Sequence, residues 1–239
     1  MAPGSATSGS VAESTGALLR ALIRERFAGR IALVSSFGAE SAVLLHMVAG
    51  IDPGLPVIFL DTGKLFAETL AYRDTLASRF GLSDIRAARA DPAALAGADP
   101  TGGLWRSDPN RCCGLRKVAP LARALEPFDA WISGRKRFQG GGRSALEAVE
   151  FGTDWRIKIN PLAHWSEADV AAYFARYDLP PHPLLDQGYR SIGCAPCTRA
   201  VRPGEAARAG RWHGIQKTEC GIHRAPTYSD PPNSERAQA

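Results

Sequence analysis

The run IALVSSFGAESAVLLH, residues 31–46, decides the fold. Ile31 to Ser35 is a short β-rich apolar run, Phe37 and Gly38 break it, and Glu40 to Val48 reads as a helix. A strand feeding through a glycine-containing turn into a helix is the building unit of a parallel sheet. Backbone N–H groups at such a helix start point outward and can receive an anion, with Ser36 beside them and Gly38 permitting close approach. The plainer reading is a simple turn with serine as the helix cap.

The alternation continues outward from this unit. Leu55 to Leu60 predicts a second strand, closed by Asp61-Thr62-Gly63, and Phe66 to Phe80 a helix. Asp84 to Ala88, Ala130 to Ser133 and Ile157 to Ile159 predict three more strands. Val11 to Phe27, Arg116 to Leu125 (with Pro120 as a kink) and Ser166 to Tyr177 predict helices, the last opened by Ser166 and Asp169 in capping-box spacing. The expected fold is α/β: a mainly parallel twisted sheet flanked by helices. Ligands of such sheets lie outside the carboxyl ends of the strands, so residues 35–38, 61–63 and 133–135 should share one rim. After Leu179 the prolines and glycines leave little room for long elements, which predicts an irregular layer over that rim. The expected organisation is a disordered tail 1–14, an α/β domain 15–179, a C-terminal segment 180–224 and a disordered tail 225–239.

Composition sets bounds on function. With 239 residues and 45% of them hydrophobic, the chain can bury one sizeable core, and 22% charged residues exclude general disorder. No uninterrupted apolar run reaches the ~18 residues of a membrane helix. The first fifteen residues carry no Lys or Arg and no apolar core, so no export signal is expected, and a reducing cytoplasm is. The five cysteines then need a role other than disulfides. The net charge of +5 is too modest to demand nucleic acid, but seven Lys/Arg face three acids between Asp186 and Arg224. That quarter of the chain is where a small anion would be held.

Cys112-Cys113 is an adjacent pair, and Cys194-Ala195-Pro196-Cys197 a CxxC. Four thiols at two loci can hold one tetrahedral metal or one cubane cluster; buried free thiols or disulfides are the alternatives. Structural zinc usually takes ligands two to four residues apart, whereas neighbours on a helix diverge by about 100°, which an iron–sulfur cube tolerates better. Lys117, four residues beyond Cys113, shares its helical face. Cys220, the odd cysteine, sits in KTECGIH, where Lys217 and His223 could favour its thiolate. The loop GRKRFQGGGR, residues 134–143, suits an anion-clamping lid or a solvated loop, and Arg208 and Arg211 could fork onto sulfate or phosphate oxygens.

The chain resembles the adenylyl-sulfate (APS) reductases within the wider PAPS/APS reductase family. The resemblance rests on SSFGAESAVLLH, FLDTGKLFAETL, RCCGLRKVAPL, GRKRFQ, KINPLAHW, DQGYRSIGCAPCTRAVRPGE, RAGRW and KTECGIH, in family order from about Ser35 to His223. It departs from the family in the glycine run Gly140 to Gly142 and in Trp212-His213-Gly214. The resemblance implies an adenine-nucleotide α-hydrolase-like, PP-loop type domain, with Ser36, Gly38, Asp61, Thr62 and Gly63 beside the nucleotide. It implies a [4Fe–4S] cluster on Cys112, Cys113, Cys194 and Cys197, and Cys220 as nucleophile. Lys117, Arg143, Arg208, Arg211 and His223 match positions that contact the substrate's sulfate and phosphate, and offset by their charge the repulsion between thiolate and substrate. The implied reaction is thioredoxin-dependent reduction of APS to sulfite and AMP through a Cys220 S-sulfonate, on a mobile C-terminal segment, in sulfate assimilation and cysteine biosynthesis. PAPS reduction, releasing adenosine 3′,5′-bisphosphate, is the nearest rival. A PP-loop ATPase for tRNA thiolation and a non-catalytic iron–sulfur sensor are more remote. No nucleic-acid or membrane partner is expected; a homo-oligomer stays open.

Overall fold

The computed structural model describes residues 8–152 and 155–223. In chain order the elements are α1 (Ser8–Ala21), β1 (Ile31–Ser35), α2 (Ser41–Ala49), β2 (Val57–Leu60), α3 (Ala67–Phe80), β3 (Ile85–Ala88), α4 (Pro92–Ala98), α5 (Leu104–Ser107), α6 (Pro109–Cys113), α7 (Ala119–Ala124), β4 (Ala130–Ser133), β5 (Val149–Phe151), β6 (Ile157–Ile159) and α8 (Glu167–Arg176). The strands form one sheet in the order β3-β2-β1-β4-β6-β5, parallel throughout except for the antiparallel β5–β6 pair. The chain builds from β1 outward through β2 to β3, then returns to add β4 on the other side of β1. That reversal opens a crevice between the carboxyl ends of β1 and β4.

Pleating explains why these short runs became central strands. Ile31, Leu33, Val57, Phe59, Ala130 and Ile132 point to one face, where α1, α2, α3 and α8 deliver Leu19, Val43, Leu45, Tyr72, Leu76 and Tyr173. Ala32, Ile58, Leu60 and Trp131 point to the other, against Leu121, Leu125 and Phe128. Covered on both faces, β2 and β4 are buried at every residue, as parallel strands must be.

The structure departs from the sequence expectations at several places. Residues 8–14, assigned to a disordered tail, belong to α1, and residues 225–239 lie outside those described. The helix expected at 116–125 begins earlier. Asp108 caps α6 with Pro109 in its first turn, and a π-helical turn over Gly114–Val118 joins α6 to α7. Pro120, lacking an N–H for the ladder, follows that turn directly, so the register changes there rather than breaking. The helix α4, capped by Asp91 ahead of Pro92, and the edge strand β5 had not been anticipated. The Ser166–Asp169 capping box is present on α8.

Among the described residues from 180 onward the only regular element is a single 3-10 turn at Ala195–Cys197. This layer is pinned by bridges pairing Leu65 with Cys194 and Thr198 with Arg211. At the second bridge, a side chain on Gly210 would lie 2.2 Å from the Arg199 carbonyl oxygen, so only glycine lets the two strands of chain approach.

Ile132, fully buried in the centre of the sheet, tests the packing account. Ile132→Ala should cost about 2–5 kcal/mol, read as a lower urea midpoint at unchanged m-value; a loss below ~1 kcal/mol would show that the β4 core is not tightly packed.

Candidate functional site

A cavity of about 200 Å³ lies at the carboxyl ends of β1 and β4, bounded by three layers of chain. Ser36, Gly38, Glu40 and Ser41 form its first wall, Ser133 to Lys136 with Gln139 and Arg143 its second, and Arg208, Arg211, Trp212, Glu219, Cys220, Ile222 and His223 its roof. The turn that starts the first wall is held by an aromatic anchor. Phe37 adopts φ 47°, rare for a bulky residue, and is fully buried edge-on to Phe59 at 5.3 Å. Its amide N–H donates to Ser35 Oγ. The anchored turn leaves Ser36 and Gly38 facing the cavity.

The second wall is tied to the first by a charged pair. Lys136, only 2% exposed, donates from Nζ to Glu40 Oε2 at 2.8 Å and to the Gly134 carbonyl at 3.0 Å. Gln139 Nε2 donates to the same Glu40 oxygen at 2.9 Å. Glu40 and Lys136 were not singled out as site residues in the sequence, because the lid reading treated the loop cations as one exposed set. Arg135 instead pairs with Glu150, which also takes Lys158 and Asn160.

The four cysteines at two loci come together on the other side of the roof. Cys112, Cys113, Cys194 and Cys197 line one small void with Lys64, Arg116, Lys117, Arg211 and Trp212. Burial pushes the thiols of Cys112, Cys113 and Cys197 up from their ordinary value. All five cysteines are free. Among the described residues no three Cys, His, Asp or Glu side chains are drawn tightly enough for one metal ion. The donor set is thus four soft thiols in a desolvated nest ringed by cations, with no carboxylate or imidazole lining it.

Asp61, Thr62 and Gly63, expected beside the nucleotide, are not among the residues lining the cavity, although Leu60 and Leu65 on either side of them are. Thr62 Oγ1 lies 3.3 Å from Cys194 Sγ, and its carbonyl accepts from Arg116 Nη1 at 2.9 Å. Arg116 also donates to the buried Asp99 at 2.7 Å, which fixes the chain between α4 and α5 against the cysteine helix. Asp61 pairs with Arg89 at the surface. β2 ends beside β1, so its last residue, Leu60, reaches the cavity while the loop after it meets the CxxC segment through the Leu65–Cys194 bridge.

Lys117, Arg211 and Trp212 line both the cavity and the thiol nest, and so form the wall between them. No carboxylate stands within ion-pair distance of Lys117 or Arg211 among the described residues. Burial opposes the charge on Lys117, but Cys194, Cys220 and Cys113 outweigh it and raise its pKa. Burial lowers that of Arg211, whose Nε is an orphaned buried donor. Its guanidinium stacks 4.4 Å over Trp212 and presses on Gly193, where a Cβ would sit 2.3 Å from Nη2. Arg208, drawn down to about 10 by burial and by Arg143, is still a cation at neutral pH.

Cys220 is half-buried in the cavity roof, in a segment seated at both ends. Upstream, Glu219 pairs with Arg143 and Arg208. Downstream, Ile222 packs on the Trp131 face of the sheet and His223 stacks on Trp131 itself, 5.7 Å between centroids and 8° from parallel. His223 does not supply the positive charge expected of it. Burial, and then Arg135, Lys158, Arg143 and Arg208, hold it well below its ordinary value, so it is a neutral imidazole with an unpartnered buried Nδ1. Glu150 and Glu219 are the acids that pair with these cations among the described residues.

A histidine depressed in the folded state favours docking fully above its ordinary value near 6.5, and that contribution is lost as pH falls below it. Amide exchange over residues 219–223, corrected for intrinsic rates, should therefore quicken from about pH 7.5 to about 5.5 in the wild type and much less in His223→Gln. An equal response in both proteins would place the titrating group elsewhere.

Three comparisons bear on this geometry. Residues 30–200 match the phosphoadenosine phosphosulfate reductase domain. A protein of Mesorhizobium japonicum named adenosine 5′-phosphosulfate reductase is 58% identical over 84% of this chain and 78% of its own length, and one of Rhodococcus opacus with the same name is 42% identical over 81% and 79%. The crystal structure of phosphoadenylyl-sulfate (PAPS) reductase from Candida auris, a phosphate complex, superposes with a TM-score of 0.61 at 25% identity, covering 84% of this chain and all of that one. With the crevice at β1 and β4 framed by the residues that carry this match, the chain belongs to the phosphoadenosine phosphosulfate reductase family.

Proposed function

We propose that this protein reduces adenosine 5′-phosphosulfate to sulfite and AMP, with Cys220 as nucleophile and a dithiol protein such as thioredoxin as reductant. The observation that carries the reading is the placement of Cys220 in the roof of a cavity whose inner wall is Lys117 and Arg211, two cations without acid partners among the described residues. APS is favoured over PAPS because relatives at 42–58% identity bear the former name. A reaction that consumes thiols fits the reducing cytoplasm.

The chemistry follows from charge. The Cys220 thiolate attacks the sulfur of the sulfuryl group; an Sγ–S bond forms, the bond from that sulfur to the phosphate oxygen breaks, and AMP leaves with the electron pair. One thiol of the reductant then attacks Cys220 Sγ, and sulfite departs with the electrons of the Sγ–S bond. The second thiol resolves the mixed disulfide, so two thiols are oxidised as the sulfur is reduced by two electrons. The obstacle is an anion attacking an anion. Lys117 and Arg211, fixed before substrate arrives, stabilise the charge that gathers on the sulfuryl and bridging oxygens. The neutral His223 can donate or accept a hydrogen bond without adding charge. Ser36, Gly38 and Ser41 at the start of α2 line the cavity, where backbone N–H groups of a helix start suit a phosphate.

Cys112, Cys113, Cys194 and Cys197 fit a [4Fe–4S] cluster. Four thiols and no harder donor line the nest, a cube spreads its irons apart and needs no single point of convergence, and the dianion it makes with four thiolates suits the ring of Lys64, Arg116, Lys117 and Arg211. When bound, it supplies fixed negative charge that holds Lys117 and Arg211 in place. Electrons for the reaction come from the dithiol.

Cys220→Ser should abolish sulfite release with the iron content unchanged, and APS added without reductant should leave one sulfonate on Cys220 by mass spectrometry. Full activity in the variant ends the nucleophile assignment. The ratio of kcat/KM for APS to that for PAPS should exceed ~10-fold; parity or reversal would move the protein to its rival substrate.

A further inference from the structure

We infer that Glu219 is a positioning residue for Cys220: its carboxylate clamps the nucleophile-bearing segment onto Arg143 and Arg208. The inference rests on the reading of Cys220 as the nucleophile. Arg143 meets Glu219 side-on, Nε to Oε1 at 2.6 Å and Nη2 to Oε2 at 2.9 Å. Arg208 Nη2 donates to the Thr218 carbonyl at 2.8 Å and to Glu219 Oε1 at 3.2 Å, gripping the backbone and the side chain of adjacent residues. All three side chains are four-fifths or more buried.

The clamp does not end at Arg143. Its remaining nitrogen, Nη1, donates to Gln139, which donates to Glu40, which holds Lys136. One hydrogen-bonded chain thus runs from the residue before Cys220, through the loop after β4, to the loop after β1. A bidentate Arg–carboxylate pair is directional as well as charged, so it fixes where the next residue sits. With His223 stacked on Trp131 three residues downstream, Cys220 is suspended between two anchors over the cavity.

Glu219 is one acid shared by two cations. It engages Nε and Nη2 of Arg143, Gln139 takes Nη1, and Arg208 donates to the same carboxylate. Arg143 and Arg208 also line the cavity beside Lys117 and Arg211, which have no acid partner among the described residues. Arg143, which the resemblance assigns to substrate contact, thus also fastens the segment that bears Cys220.

The test is single-turnover S-sulfonation of Cys220 in the iron-loaded protein at saturating APS without reductant, followed by mass spectrometry, together with steady-state KM and kcat. Glu219→Gln should slow sulfonation roughly 10–100-fold with KM changed less than ~3-fold, and Glu219→Asp, which keeps the charge on a shorter arm, should recover part of the rate. Amide exchange over residues 217–223 should quicken in Glu219→Gln. Sulfonation and exchange both at the wild-type rate would overturn the clamp. So would a fall in KM at retained kcat, which would mean that Glu219 only holds the arginines until substrate displaces it. A wild-type protein that turns over with no sulfonate on Cys220 would instead remove the nucleophile reading, and the clamp's purpose with it.

Discussion

Two half-buried cations with no acid partner among the described residues, Lys117 and Arg211, are the constraint around which this molecule is organised. Burying an unpaired charge is expensive, and proteins retain one only where an anion will complete it. Here anions are available on both sides: ionisable thiols in the nest and the ligand of the cavity. The wall formed with Trp212 keeps the two compartments apart while both draw on the same positive charge. The surrounding backbone is shaped to hold it. Gly193 leaves room for the Arg211 guanidinium, and the π-helical turn over Gly114–Val118 carries Arg116 and Lys117 past the cysteine pair, toward the thiols and the cavity wall.

That wall could not be built from the sheet alone. The strands end in short loops, and β1 and β4 supply only the floor of the cavity. The roof is a layer with almost no regular structure, whose stability comes from specific contacts: a glycine pressed on a carbonyl, a salt bridge between Arg199 and Glu205, bridges at Cys194 and Thr198. Each is modest in isolation, as surface pairs are. Such a layer can be seated firmly and yet release a short stretch, since few backbone hydrogen bonds cross from it to the sheet. The proposed reaction, in which Cys220 would meet a small anion and then a protein reductant, calls for that property.

The electrostatics of the cavity are graded. Lys136 is satisfied by Glu40, Arg135 and Lys158 by Glu150, Arg143 and Arg208 by Glu219. These pairs set the positions of loops, yet five cations share three carboxylates, so positive charge remains among them. Burial first, and then these cations, keep His223 neutral. Among the described residues lining the cavity, Lys117 and Arg211 are the Lys/Arg side chains that no carboxylate pairs with directly, and preorganised charge of that kind lowers a barrier between like charges.

The sequence by itself determined the central architecture. Apolar runs of four to six residues alternating with helical periodicity located β1 to β4, β6, α2, α3 and α8 within a few residues, because strands buried on both faces and helices with one apolar stripe leave strong local patterns. It also identified the cysteines and most of the cations. Tertiary structure decided the rest. The edge strand β5 exists only because β6 pairs with it, and α4 to α6 are short, weakly apolar helices, of which α4 and α6 alone carried a local signal, an Asp-Pro cap. Which neighbour a loop meets is equally non-local: Thr62 touches Cys194, 132 positions away. Glu219 and Glu40 carry no local signal of the residues 76 and 96 positions away that close on them. Periodicity records what a residue does for its own element; the partners of a buried charge are set by where other elements end.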